Sequence, residues 1–221
     1  MDRAAVGDVR PAQVPFTELF AAGLAGRPLH LVGLDQEPTP VPVDRWSGPV
    51  DDGDLAILEL CDGPTLDVGC GPGRMSAALA ARGRIVLGID VVGRAVDQTR
   101  QRGAAALERN VFATMPAEGR WGTALLADGN IGIGGDPVAL LRRLAQLVHP
   151  AGRIVVEVAA PGVETRTVWA SLDAGPVRSR PFRWAVVGVD GIGSVAAESG
   201  LGTDAVLDVG DRWCAVLRSA A

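Results

Sequence analysis

Three glycines at alternate positions, Gly69, Gly71 and Gly73, follow a short apolar segment that contains one acid, Asp67. Glycine has no Cβ, so the backbone can turn sharply there between a strand and a helix, and a ligand can lie directly on it. Asp67, at the carboxyl end of the strand, is then expected to face the same ligand. The sequence therefore predicts that a small cofactor binds on this loop.

The spacing of these glycines disfavours two other kinds of glycine-rich loop. A dinucleotide-binding fingerprint has the form Gly-x-Gly-x-x-Gly, and the position of its last glycine is occupied by Arg74. A phosphate-binding loop requires Gly-Lys-Ser or Gly-Lys-Thr, and the chain contains no lysine. Neither a nicotinamide or flavin site nor a nucleotide-triphosphate site is therefore expected.

Strands and helices must alternate to position this loop. The pattern predicts strands over 65–68, 84–89, 104–109, 123–127 and 153–158, with helices over 74–81, 93–102 and 136–148 between them. Such alternation requires crossover connections and a parallel sheet. Two further strands, over 204–209 and 213–217, are joined by Gly210-Asp211 and predict an antiparallel C-terminal hairpin.

The flanking segments are less regular. Residues 1–50 contain one predicted helix, over 16–25, and a proline-rich passage, so we expect an N-terminal appendage or lid before a domain over 51–221. Within that domain, residues 161–189 are expected to form a two-stranded hairpin insertion. Its arginines, Arg166, Arg178, Arg180 and Arg183, suit either an anionic acceptor or a solvated strand face.

Composition excludes several functional classes. The 221 residues carry a net charge of -5, from 26 acids and 21 bases, whereas a nucleic-acid binder is typically basic. No apolar run approaches the roughly 20 residues of a membrane span, and the first residues lack a secretory core. The three cysteines are isolated, which disfavours structural zinc and disulfides. We expect a cytoplasmic protein with no nucleic-acid or membrane partner.

The loop and the strand pattern resemble the class I S-adenosylmethionine-dependent methyltransferases. The resemblance extends over about 51–217 and is strongest at the acid-x-Gly-x-Gly-x-Gly motif, Asp67 to Gly73. It implies an α/β fold, a Rossmann-like three-layer sandwich with a mostly parallel seven-stranded sheet and an antiparallel C-terminal hairpin. It also implies S-adenosylmethionine as the methyl donor and S-adenosylhomocysteine as the product.

The resemblance implies contacts to each part of the cofactor. The acid and the glycine loop would face its methionine and ribose portions, and Cys70 would contribute backbone there. A carboxylate after the second strand can accept two hydrogen bonds from ribose hydroxyls. The family often has an aspartate after the third strand, where this chain has an asparagine and a valine. The implied cofactor contacts are Asp67, Gly69, Cys70, Gly71, Gly73, Asp90, Val91, Asn110 and Val111.

The loop after the fourth strand would lie near the transferred methyl group. The resemblance makes Asp128 a candidate general base and Asn130 a candidate substrate contact, although a turn without either role is the alternative for Asn130. His30, in the expected lid, is the other candidate base. Methyl transfer from a sulfonium requires mainly positioning, so a dedicated catalytic residue is not essential.

These features favour a metal-independent methyl transfer to an O, N or C nucleophile of a small molecule. The fourth strand lacks the Asp/Asn-Pro-Pro-aromatic motif of amino-group methylation in DNA, and no cluster of acids and histidines suggests a metal. The alternative is an accessory protein that binds the cofactor without methyl transfer. Trp46, Trp169 and Trp184 are candidates for an apolar pocket or for ordinary packing.

Overall fold

The computed structural model describes residues 11–220 as two β-sheets with helices packed around them. The helices are α1 (Phe16–Gly23), α2 (Val43–Ser47), α3 (Asp52–Glu59), α4 (Arg74–Ala81), α5 (Gly93–Gln101), α6 (Pro137–Leu147) and α7 (Val189–Glu198), with a 3-10 turn at Asn130–Gly132. The strands are β1 (Ala12–Val14), β2 (His30–Val32), β3 (Thr39–Pro40), β4 (Thr65–Val68), β5 (Val86–Asp90), β6 (Ala105–Glu108), β7 (Trp121–Leu126), β8 (Val148–Val158), β9 (Arg166–Asp173), β10 (Val177–Ser179), β11 (Phe182–Val186), β12 (Leu201–Asp208) and β13 (Trp213–Ser219).

The main sheet has seven strands in the order β12-β13-β8-β7-β4-β5-β6. Strands β4 to β8 run parallel, whereas β13 pairs antiparallel with both β8 and β12. This topology confirms the predicted Rossmann-like fold with its antiparallel C-terminal hairpin. The carboxyl ends of β4, β5, β6 and β7 consequently lie along one edge.

Local sequence signals explain the helices beside that edge. Asp136 caps α6 by accepting a hydrogen bond from the Ala139 backbone, Pro137 occupies its first turn, and Leu140, Leu141 and Leu144 are buried against the sheet. Asp51 and Asp54 form a reciprocal capping box at the start of α3. Asp136 therefore begins α6 where the sequence predicts a helix, and the capping box fixes the start of α3.

The second sheet, which we call the accessory sheet, joins two segments that are far apart in the sequence. Its order is β1-β10-β9-β2-β3, and β11 pairs with β9. Strands β1, β2 and β3 come from the expected appendage, and β9, β10 and β11 come from the expected insertion. Residues 161–189 therefore contribute three strands instead of the two predicted, because Pro181 interrupts the second one.

Within residues 11–220, no helix is both long enough and apolar enough to span a membrane.

Candidate cofactor and acceptor site

A cavity of about 510 Å³ lies between the carboxyl edge of the main sheet and the accessory sheet. Its lining on the main-sheet side comes from the glycine loop and from the segments that follow β5, β6 and β7. Helices α1 and α2 and strands β2, β9 and β11 supply the other side. The predicted site residues that line it are Gly69, Cys70, Gly71, Asp90, Val91, Asn110, Val111, Asp128 and Asn130.

The glycine loop is shaped by two of its glycines in different ways. Gly69 has φ of 74°, and a Cβ there would lie 2.7 Å from the side-chain nitrogen of Asn130. That amide donates hydrogen bonds to the carbonyl oxygens of Val68 and Gly69, at 3.0 and 2.9 Å. A Cβ on Gly71 would meet no protein atom within 4 Å. Gly69 thus permits contact between two loops, and Gly71 leaves its space to the cavity.

Two predicted cofactor contacts, Asp67 and Gly73, do not line the cavity. Successive residues of a strand point to opposite faces, and here Val68 lines the cavity while Asp67 is buried and accepts a hydrogen bond from Ser76 Oγ at 2.6 Å. A Cβ on Gly73 would lie 2.5 Å from Thr99 Oγ1, so this glycine permits close packing of the loop on α5. Both residues therefore pack on the side of the loop that faces away from the cavity.

Burial raises the pKa of Asp67 to about 7, against a partial opposing effect of the Ser76 hydrogen bond. In the unfolded chain an aspartate titrates near a pKa of about 3.9. The folded protein therefore keeps a proton that the unfolded chain releases between about pH 4 and 7, so this group lowers the free energy of unfolding as pH rises through that window.

We expect Asp67→Asn to be more stable than the parent above pH 7, with a difference that shrinks as the pH falls towards 4. The slope of the difference should approach about 1.4 kcal/mol per pH unit at its steepest. Denaturant unfolding of both proteins across this range measures it. A difference in the free energy of unfolding that does not change with pH would contradict the raised pKa of Asp67.

Asp90 stands at the end of β5 with its carboxylate held by the backbone. Its Oδ2 accepts a hydrogen bond from the Gly71 N–H at 3.0 Å, and its Oδ1 accepts one from the Val92 N–H at 2.9 Å. Burial raises the pKa of Asp90, and these backbone donors oppose the shift. A carboxylate has about four lone-pair positions, so acceptor capacity remains for two hydroxyl groups of a ligand.

We expect Asp90→Asn to weaken binding of S-adenosylmethionine by about 1–3 kcal/mol, because a charge-assisted pair of acceptors is replaced by a neutral amide. Calorimetric titration measures this effect. The matched control is Asp97→Asn on the exposed face of α5, whose side chain is 68% accessible and whose substitution should leave the affinity unchanged. Equal affinities of the two variants would contradict the role of Asp90.

The segment after β6 forms another part of the lining. Asn110 Oδ1 accepts a hydrogen bond from the Phe112 N–H at 2.9 Å, which closes a short side-chain turn. Val111 is buried, whereas Phe112 is 47% exposed and lies beside Gly134 of the next loop. The amide oxygen of Asn110 therefore shapes the turn, and contact of Asn110 and Val111 with the adenine stays a prediction.

Cys70 lines the cavity without offering a reactive thiol. Its sulfur packs over Gly88 of β5, where a Cβ would lie 2.8 Å from Sγ. Burial raises the pKa of the Cys70 thiol well above its usual range, so the thiol stays protonated at neutral pH. A backbone contact of Cys70 with the cofactor stays a prediction.

Asp128, a candidate general base, is held by arginines. Both carboxylate oxygens accept hydrogen bonds from Arg74 Nη2, at 2.9 and 2.7 Å, and Arg45 Nη1 lies 3.4 Å from Oδ1. Arg212 adds an ion pair at 3.5 Å. Proton abstraction by Asp128 would have to compete with these ion pairs, so its geometry favours holding the loop after β7 over acting as a base.

His30, the other candidate base, does not line the cavity. It is exposed on β2, where it pairs with Pro40 and Asp173 across the accessory sheet. The sequence placed it in a lid, but its backbone position in the strand turns it away from the cavity. The structure therefore gives no support to His30 as a base.

Sequence reasoning missed most of the apolar side of the cavity. All four phenylalanines of the chain line it, as do two of the five tryptophans, whereas Trp169 does not and is 67% exposed. Few aromatic residues occur elsewhere, and that scarcity is a signal that could have suggested a shared role. The six aromatic residues of the cavity are Phe16, Phe20, Trp46, Phe112, Phe182 and Trp184.

Comparisons with known proteins agree with this geometry. A family model described as a methyltransferase domain matches residues 65–152. None of the curated protein sequences compared with the chain matches it. Among solved structures, a S-adenosylmethionine-dependent methyltransferase from Bacteroides fragilis, in complex with S-adenosyl-L-homocysteine, is 21% identical, with 97% of this chain and 98% of that chain covered and a TM-score of 0.77.

Two further similar structures have narrower coverage. The CcbJ methyltransferase from Streptomyces caelestis is 19% identical, with 80% of this chain and 92% of that chain covered and a TM-score of 0.62. The 1,6-didemethyltoxoflavin-N1-methyltransferase from Burkholderia thailandensis, with bound 1,6-didemethyltoxoflavin and S-adenosylhomocysteine, is 15% identical, with 77% and 80% covered and a TM-score of 0.58. At these sequence identities, the similarity to the three structures shows a shared fold.

The matched domain and the shared fold agree with the resemblance seen in the sequence: residues 65–152 match a methyltransferase domain, and the chain has the fold of S-adenosylmethionine-dependent methyltransferases. The cofactor of this class is S-adenosylmethionine, and S-adenosylhomocysteine is the product.

Proposed function

We propose that this protein transfers a methyl group from S-adenosylmethionine to an O, N or C nucleophile of a small molecule, without a metal ion. The observation that carries the proposal is one continuous cavity, which has the glycine loop and Asp90 on one side and aromatic side chains on the other. The Burkholderia thailandensis structure holds a small-molecule acceptor with the product cofactor, which supports a small-molecule acceptor here.

The residues present fit the cofactor. Open space above Gly71 lets a ligand approach the backbone, and the Asp90 carboxylate is oriented by two N–H groups towards the same space. The bound cofactor supplies an activated methyl group on its sulfonium. The protein then has to hold the acceptor in line and exclude water, which the apolar side of the cavity does.

No side chain needs to abstract a proton for an acceptor that is already nucleophilic. Asp128 and Asn130 would orient the loop beside the acceptor: Asp128 through the Arg74 ion pair and Asn130 through the carbonyl oxygens of Val68 and Gly69. We propose these two as positioning residues. Because the sulfonium itself activates the methyl group, turnover should persist in excess chelator.

The test is transfer of a labelled methyl group from S-adenosylmethionine into a cell extract that has been separated into small-molecule, protein and nucleic-acid fractions. We expect label in the small-molecule fraction with and without EDTA, and none with a Gly71→Leu variant. Label in a macromolecular fraction would contradict the acceptor class, and loss of label in EDTA would contradict metal independence. Cofactor binding without label in any fraction would favour the accessory alternative.

A further inference from the structure

The side of the cavity opposite the glycine loop, which we call the acceptor side, is lined by apolar side chains. Leu31 of β2 and Leu172 of β9 belong to this lining. The other apolar side chains are aromatic and form a row, in which neighbouring ring centroids lie 6.2, 4.8, 5.5 and 5.9 Å apart. Such spacings are those of favourable aromatic pairs. In order, the row consists of Trp184, Phe182, Phe16, Phe20 and Trp46.

This aromatic row connects the loop after β7 with the segment after β5. Trp184 forms a β-bridge with Ile133 of the loop after β7. Further along the row, Phe20 packs against the buried cluster that contains Val92, two residues after Asp90. The rings of Trp184 and Phe182 therefore belong to the part of the row beside the loop that borders the proposed acceptor, and these rings are only half-buried.

No charged side chain points into the cavity from the acceptor side of the described residues, 11–220. Of the acceptor-side residues that border the cavity, only Arg183 is charged. Side chains alternate along a strand, so the Arg183 side chain lies on the face of β11 opposite Phe182 and Trp184. Its partner across the strands is Trp169 of β9, which is 67% exposed. Arg183 therefore faces outward, and the acceptor side offers a ligand only apolar side chains.

The charges on the main-sheet side disfavour an anionic acceptor. Asp128 belongs to a group of linked ion pairs in which four carboxylates meet three arginines, which gives a formal net charge of -1. Asp90 adds another carboxylate to the lining, and Arg109 follows β6 beside the segment expected to contact adenine. An anion near Asp128 would be repelled and would lose its hydration without gaining a partner. The group consists of Asp51, Asp54, Asp128, Glu157, Arg45, Arg74 and Arg212.

A cationic acceptor is disfavoured for a different reason. Aromatic rings attract cations, but a cation in this cavity would be repelled by the sulfonium of bound S-adenosylmethionine. It would also have to compete for Asp128, which already accepts hydrogen bonds from Arg74 at 2.9 and 2.7 Å and from Arg45 at 3.4 Å. A protonated amine, moreover, has no lone pair with which to attack the methyl group. An uncharged acceptor avoids all three penalties.

We infer that the methyl acceptor is an uncharged molecule whose apolar ring system lies against Phe182 and Trp184. This inference rests on the proposed function and specifies its acceptor. A lone pair of the acceptor forms the new bond to the methyl carbon while the carbon–sulfur bond breaks, and the electron pair of that bond stays on the sulfur. The proton of the acceptor atom is then released to water. Phe182 and Trp184 are thereby assigned as specificity-determining residues.

The test is calorimetric titration of four probes into protein saturated with sinefungin, an unreactive cofactor analogue with an ammonium group in place of the methylated sulfur. The probes are naphthalene-2-carboxamide, naphthalene-2-carboxylate, naphthalen-2-ylmethylammonium and methyl glucoside, which is uncharged but polar. We expect the carboxamide to bind about tenfold more tightly than each of the others, because it alone is both uncharged and apolar. An advantage below about threefold over any of them, or no binding of the carboxamide, would overturn the inference.

Variants assign the effect to residues. Phe182→Ala should weaken carboxamide binding about tenfold because a ring contact is lost, and Trp184→Leu, which keeps an apolar side chain, should weaken it in the same direction. Trp169→Ala is the matched control, because Trp169 lies on the outer face of the same strand pair and does not line the cavity. Arg183→Gln should keep the ranking of the four probes. Equal affinities of Phe182→Ala and Trp169→Ala for the carboxamide would overturn the assigned contact.

Failure of the inference is distinguishable from failure of the proposed function. Probe binding does not depend on methyl transfer, so the expected ranking without label in any extract fraction would contradict the activity alone. Label in a charged or sugar-like small molecule would support the activity and overturn the inferred acceptor class. Absence of sinefungin binding would contradict the proposed function, and the inference would fall with it.

Discussion

Gly71→Leu is expected to weaken S-adenosylmethionine binding about 100-fold or more. A Cβ at this position meets no protein atom within 4 Å, so a leucine side chain would extend into the space that the cavity offers to the cofactor. The substitution would also disturb the N–H that donates to Asp90 at 3.0 Å. About 2.8 kcal/mol corresponds to a 100-fold loss, which a steric block together with a displaced Asp90 carboxylate readily supplies.

The control for this prediction separates backbone strain from loss of the site. Gly71 has φ of 53° and Gly83, after α4, has φ of 71°; a Cβ on Gly83 also meets nothing within 4 Å. A leucine at either position costs roughly 1–2 kcal/mol of backbone strain. Gly83→Leu should therefore lose similar stability in denaturant unfolding but keep its cofactor affinity in calorimetric titration. Equal affinities of the two variants would show that the cofactor does not lie over Gly71.

Arg212→Met is expected to lower the free energy of unfolding by about 3–5 kcal/mol. The Arg212 side chain is only 7% exposed, and its nitrogens bind Glu157 at 2.9 and 2.5 Å and Asp54 at 2.5 Å. Asp54 is fully buried. Removal of the guanidinium takes a partner from Glu157 and leaves the buried Asp54 to Arg74 and Arg45, and this loss of compensating charge where water has little access causes the large effect.

Arg218→Met is the matched control for Arg212→Met. Arg218 lies six residues further along the same C-terminal hairpin and pairs with Asp204 at 3.0 Å, with side chains 37% and 54% exposed. Exposed pairs of this kind contribute about 0–1 kcal/mol. Urea unfolding of both variants measures the difference. Losses within 1 kcal/mol of each other would contradict the assigned importance of the buried ion pairs.

Arg212 also links stability to the cavity. It shares Asp128 with Arg74 and Arg45, so these ion pairs connect the C-terminal hairpin with α4 and with α2. Trp46, which lines the cavity, follows Arg45 directly. The ion pairs of Asp128 therefore reach α2, the helix that carries Trp46 of the cavity lining.

The cofactor side of this protein was largely predictable from the sequence. Local periodicity specified the helices and strands of the main sheet, and parallel strands bring their carboxyl ends to one edge, so Gly71, Asp90 and Asp128 had to lie near one another. Prediction was less accurate for Asp67. The sequence shows that side chains alternate along β4, but it does not show which face of this strand borders the cavity. Packing of α4 on β4 decides this, because Ser76 of α4 donates a hydrogen bond to Asp67 on the other face.

The acceptor side was decided only by the tertiary structure. Phe16 and Phe182 are 4.8 Å apart across the interior although 166 residues separate them, and Asp54 meets Arg212 across 158 residues. Neither contact can be predicted from the residues near it in the sequence. The first depends on the formation of the accessory sheet, and the second depends on packing of the C-terminal hairpin against the main sheet. The sequence by itself thus determined the fold class and the cofactor loop, since both follow from short-range patterns. The aromatic side of the cavity and the ion pairs of Asp128 required long-range packing, which no single segment encodes.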